Sequence, residues 1–144
     1  MGKKREIDAR FNKFGTVTFT STTKVNDFID HLEKGRIVGS KCRDCGLVFF
    51  PPRADCYQCL AGNMEWFEVT GSGKLLTYSK LEYAPVGFEN DLPYAIAVLD
   101  YGDYKVFGRI AGDLPDDEIQ MGMEMKTIVN HLPNGRLNYV FQKP

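Results

Sequence analysis

The chain has 144 residues, 43% hydrophobic and 26% charged, with 18 Lys/Arg against 19 Asp/Glu. That length fits one ordinary domain or two small modules sharing a boundary, and a net charge of −1 supplies no overall cationic surface to draw a polyanion. The start, Met1-Gly2-Lys3-Lys4-Arg5-Glu6, is basic but runs into polar residues, so neither a signal peptide nor a membrane span is expected and the protein is read as cytoplasmic.

Residues 1–38 read as an N-terminal arm and helix. Val17 and Phe19 alternate with Thr16, Thr18 and Thr20, and together with Phe11 and Phe14 they predict an extended segment that docks on something. From Thr22 or Thr23, either one an N-cap residue, Val25, Phe28, Ile29 and Leu32 form an apolar stripe at helical period, and Gly35 stops it. Asp27, Asp30 and Lys34 make the polar face, so the stripe is expected to pack on the protein's own core.

Residues 39–63 carry all four cysteines, Cys42, Cys45, Cys56 and Cys59, as two CxxC pairs with ten residues between them. Two residues between paired thiolates let both sulfurs turn to one point, and two such turns facing each other complete a tetrahedron of soft ligands. Zinc in a structural role is the expected occupant, with a rubredoxin-type iron as the minor alternative; two disulfides are disfavoured in a reducing cytosol. Gly46 follows the second ligand where a knuckle needs positive φ, and Lys41 and Arg43 offset thiolate charge. Leu47 to Phe50 reads as a strand ended by Pro51-Pro52-Arg53. Phe49 and Phe50 cannot both be buried in so thin a module, so one should meet the neighbouring domain or a ligand.

Residues 64–144 turn into strands: Leu75 to Tyr83 after Gly71-Ser72-Gly73, Pro93 to Tyr101 with Tyr94, Ile96 and Val98 on one face, and Lys105 to Ile110 across Gly102-Asp103. An acidic linker, Gly112 to Glu118, leads to Met123 to Asn130 and Leu137 to Gln142, joined across Leu132-Pro133-Asn134-Gly135. Three strands, a linker and two strands is the order of a five-stranded OB-fold barrel. Gly71, Gly73, Gly108 and Gly122 fall where barrel strands bend. The fold class is therefore mainly β: a helical segment, a rubredoxin-like ribbon and a barrel. The barrel half is acidic, with 7 Lys/Arg against 11 Asp/Glu from Trp66 onward, which argues against general nucleic-acid binding.

Lys41-Cys42-Arg43-Asp44-Cys45-Gly46, Phe50-Pro51-Pro52-Arg53, the Cys56/Cys59 pair, Trp66, Gly71-Ser72-Gly73, Pro93 to Val98 and Val106 to Ile110 together resemble the acyl-CoA-associated zinc-ribbon/OB-fold family, formerly a domain of unknown function. The resemblance covers nearly everything after Thr22. It implies a non-catalytic, acyl-CoA-binding companion of thiolase-type condensing enzymes, which in archaea bridges a thiolase and a hydroxymethylglutaryl-CoA (HMG-CoA) synthase. A CoA ligand asks for cations at its phosphates and flat apolar surface for its adenine. Arg53, Lys74, Lys80 and Arg109 are the candidates for the first, and Phe50, Tyr78 and Phe88 for the second, with Arg53 favoured at the expected ribbon–barrel junction. The cysteines are committed to metal, His31 and His131 stand in no catalytic pattern, and the acidic linker lacks calcium-loop spacing, so no active site is expected. Nucleic-acid binding is the alternative function and electron transfer by iron a third.

Overall fold

The computed structural model describes residues 8–18, 20 and 23–144. The expectations placed on Phe19 and Thr22 lie outside the described residues.

Helix α1 spans Asp27–Glu33, a turn shorter than the apolar stripe suggests. Thr23 does not cap it: its Oγ1 accepts a hydrogen bond from the Val25 N–H at 3.3 Å, closing a local turn ahead of the helix, and Asn26 stands at the cap position without a side-chain bond. Phe28, Ile29 and Leu32 are buried as expected, and Gly35, at φ 78°, ends the helix. The polar face holds the arm. Arg10 bonds Asp27 at 2.7 Å and Asp30 at 2.5 Å, and Lys13 meets Glu33 at 2.8 Å.

The ribbon is a three-stranded sheet of β1 (Val38–Cys42), β2 (Val48–Phe49) and β3 (Met64–Glu68), in the order β2-β1-β3. The sequence showed only β2, an edge strand of this sheet. β3, counted with residues 64–144 on sequence, pairs with β1 from Val38↔Glu68 to Cys42↔Met64, so the ribbon sheet continues to Glu68. Its tight centre is Gly39, where an added Cβ would stand 2.5 Å from both the Phe49 carbonyl oxygen and the Phe67 ring.

The barrel closes in the order β4-β5-β6-β8-β7 from β4 (Gly73–Leu81), β5 (Tyr94–Asp100), β6 (Lys105–Ile110), β7 (Glu124–His131) and β8 (Leu137–Gln142). This is the expected three-plus-two arrangement. A bulge between Leu75 and Thr77 lets β4 leave β7, with which it pairs only at Gly73 and Lys74, and continue along β5. On β5 the inward face is Ala95, Ala97 and Leu99; Tyr94, Ile96 and Val98 face outward. Small residues fit the interior of so narrow a barrel, which is filled by Leu75, Leu99, Val106, Ile110, Met125 and Phe141.

One core runs from helix to barrel, whereas Cys42, Phe49 and Cys56 form a separate small cluster in the ribbon. The two phenylalanines divide as expected: Phe49 stays in the ribbon, and Phe50 reaches out to stack edge-on against Phe28 at 6.4 Å and Tyr139 at 5.2 Å. Phe14 joins the same junction against Phe28 and Tyr139.

Candidate metal centre and ligand groove

The four cysteine sulfurs lie within 4.8 Å of one another. Cys42 and Cys59 sulfurs are 3.5 Å apart, as are those of Cys45 and Cys56. Disulfide sulfurs stand ~2.05 Å apart, so these are free thiols. Tetrahedral bonds of ~2.3 Å to a central ion would set the sulfurs ~3.8 Å apart, so the donor set fits a metal with little movement. Each knuckle turns where the chain enters the left-handed region: Gly46 at φ 78° after the first pair, and Leu60 at φ 61° after the second. Their N–H groups bond back to the Cys42 and Cys56 carbonyls at 2.8 and 3.0 Å. The second knuckle has no glycine directly after its ligand, and Leu60 makes that turn.

Electrostatics separate the ligands. The Cys59 N–H and then the Gln58 N–H hold the Cys56 thiol down to about 7. The Ala61 N–H favours the Cys59 thiolate, yet the Cys42 thiol and burial push that group up to about 12.

Arg53, Lys74, Lys80 and Arg109, the candidate cations, do not converge with one another or with Tyr78. Arg53 lies on the ribbon rather than at its junction with the barrel, its guanidinium over Phe49 at 5.5 Å and Tyr57 at 5.6 Å. It borders a polar cleft of about 330 Å³ with Lys24, Asp55, Glu65 and Trp66. Lys74 is exposed at the start of β4, Tyr78 is exposed further along it, and Lys80 is bound to Asp116 of the acidic linker at 2.5 and 2.6 Å. His31 packs beside Trp66, with ring centres 5.4 Å apart, and His131 is exposed.

Of the four candidate cations Arg109 alone lines an apolar groove of about 410 Å³ on the outward face of β5 and β6, and Phe88 of the candidate rings lines it too. Its floor is Tyr94, Ile96, Phe107 and Arg109. One wall is the β4–β5 connection with Pro85 and Phe88; the other is the arm, Phe14 to Val17. The arm is fastened there: the Gly15 N–H donates to the Leu137 carbonyl at 2.7 Å, and Arg136 Nε donates to the Gly15 carbonyl at 2.5 Å. Thr16 donates to Asp91 at 2.6 Å. Beside the groove, Tyr139 donates its hydroxyl to the Phe107 carbonyl at 2.8 Å, and burial keeps that phenol protonated well above its ordinary range. The arm, expected as an extended segment, begins instead with a 3-10 turn over Arg10–Lys13 and bends at Gly15 to Val17, and the groove was not legible in the sequence.

A cysteine-knuckle ribbon joined to a five-stranded OB barrel defines a two-module metal-ribbon/OB protein. Residues 30–65 match the rubredoxin-like zinc ribbon domain of ChsH2, and residues 66–131 match the C-terminal OB-fold domain of ChsH2. A DUF35 domain-containing scaffold protein of Methanocaldococcus jannaschii is 31% identical over 69% of this chain and 72% of its own, and one of Pyrococcus furiosus is 33% identical over 69% and 73%. The chain belongs to this DUF35 family. Two solved structures share the fold at 20% identity: a chain of the Ltp2-ChsH2(DUF35) aldolase, with a TM-score of 0.69 over 88% of this chain and 98% of that one, and a DUF35 protein of unknown function from Sulfolobus solfataricus, with a TM-score of 0.54 over 86% and 90%. Among the described residues no helix is long and apolar enough to cross a membrane.

Proposed function

We propose that this protein is a non-catalytic, acyl-CoA-binding scaffold that docks to a thiolase-class condensing enzyme in the cytoplasm, with an HMG-CoA synthase-like enzyme as a second partner. Zinc, in a structural role, is the proposed occupant of the four-cysteine site: soft thiolates suit it, and a site closed by four protein ligands leaves no position for water or substrate. The scaffold role draws on relatives named as scaffold proteins and on a structural neighbour named for Ltp2 and ChsH2 together.

The observation that carries the ligand reading is the groove. OB barrels hold oligonucleotides on the face of their second and third strands, between the first and last connecting loops. Here that face, on β5 and β6, is walled by the chain's own arm and loop into a narrow apolar slot. Single-stranded nucleic acid needs an open basic track with stacking platforms, whereas a thioester's acyl arm needs a slot. Equilibrium binding of an acyl-CoA and of a single-stranded oligonucleotide, each at low and moderate salt, tests this. The acyl-CoA should saturate the protein; salt-sensitive binding of the oligonucleotide without acyl-CoA binding would reverse the reading.

A further inference from the structure

We infer that the groove on β5 and β6 takes the acyl end of the thioester and selects an uncharged, apolar acyl group; this rests on the acyl-CoA reading above. Size gives the first argument. At the ~30 Å³ that a water molecule takes up in the liquid, a groove of about 410 Å³ has room for about a dozen atoms of that size, enough for an acyl chain and far too few for the nucleotide of CoA.

Charge gives the second. Among the described residues Arg109 is the only cation lining the groove, and it is already committed. Its Nη1 bonds Asp91 at 2.9 Å, and its guanidinium lies 3.9 Å over the Tyr94 ring and 5.5 Å from the centre of Phe88. The Asp91 oxygen that receives it also takes the Thr16 hydroxyl at 2.6 Å. Both side chains of the pair are mostly shielded, at 24% and 20% exposure. A phosphate or an acyl carboxylate entering here would have to displace Asp91 from a partly desolvated pair and leave that charge facing an anion. An alkyl or aryl group entering here meets the apolar side chains of Ile96, Phe107, Phe88, Pro85 and Val17. Half-exposed Phe107, at 48%, is apolar surface that such a group would cover.

Calorimetric titration of the full chain with CoA, butanoyl-CoA, octanoyl-CoA and succinyl-CoA tests the inference, together with F107E on the floor and V17E on the arm wall. A fully buried methylene is worth ~fourfold in affinity, so octanoyl-CoA should bind at least about tenfold more tightly than butanoyl-CoA if half of the added chain is covered. Succinyl-CoA should bind more weakly than butanoyl-CoA. Each variant, checked for a native melting transition, should lose the octanoyl preference while keeping its affinity for CoA; two variants on separate segments guard against one failing to fold. Equal binding of CoA and octanoyl-CoA, a preference for succinyl-CoA, or a chain-length preference surviving both substitutions would overturn the groove assignment and leave the acyl-CoA reading standing. Binding of none of the four would overturn both.

Discussion

Replacing Phe50 with alanine tests how the ribbon is held to the barrel. Phe50 is half-buried and makes two edge-on aromatic contacts, 6.4 Å to Phe28 and 5.2 Å to Tyr139, across the junction of ribbon, helix and barrel. A fully buried Phe→Ala change costs ~3–5 kcal/mol, and an aromatic pair adds ~0.5–1.5 kcal/mol beyond its buried area. Partial exposure lowers the first figure, so the sum is ~3 kcal/mol. For a chain of this size that corresponds to a drop of roughly 6–12 °C in melting temperature. The ribbon's own cluster of Cys42, Phe49 and Cys56 does not include Phe50, so the metal should remain bound until the protein unfolds. Differential scanning calorimetry with metal analysis of the folded variant reads both effects. A shift below ~2 °C, or loss of metal from the folded variant, would show that ribbon and barrel are not coupled through this ring.

Three further outcomes are expected. Cys42→Ser should release the metal and unfold the ribbon while the barrel persists on the core it shares with the helix; hydrogen exchange should show protection lost over residues 39–68 and kept in β4 to β8, and full metal retention would contradict the site. Metal binds thiolates, and Cys59 sits at about 12 without metal, so loading zinc at pH 8 must displace protons and affinity must fall as pH falls; zinc uptake with no proton release in weakly buffered solution would exclude four-thiolate ligation. Leu60→Gly should stabilise the ribbon by up to ~1 kcal/mol, because Leu60 holds φ 61° with its side chain 83% exposed, so relief of left-handed strain outweighs lost contacts. Chemical denaturation followed at the metal checks this, and a destabilised variant would mean that the leucine packs against something.

The metal site was readable because its signal is local: two CxxC pairs leave little freedom in where four sulfurs go. The barrel strands were readable for a similar reason, since Gly102-Asp103 and Pro133-Asn134-Gly135 mark hairpin turns between alternating segments. β1 and β3 were harder. β1 contains Gly39 and ends on Cys42, and Met64–Glu68, with Trp66 and Phe67 adjacent, lacks a clean alternation, so only its pairing with β1 reveals where it belongs. The ligand face was least legible, because its floor and walls come from residues 14–17, 81–88, 94–96, 107–109 and 138–139, which sequence spacing cannot bring together. Charge misled as well. Lys80 and Arg109 look like free cations in the sequence, but Asp116 and Asp91 neutralise them in the fold.

The central claim is that the protein works by holding an acyl-CoA enzyme in a complex. Affinity purification of the tagged protein from a lysate of its native cells, with identification and quantification of what co-purifies, tests that claim most directly. The account predicts a thiolase-class condensing enzyme in near-stoichiometric amount, retained by a variant of the exposed Lys74. Recovery of nucleic-acid-processing proteins with no condensing enzyme would contradict it and return the barrel to the nucleic-acid class.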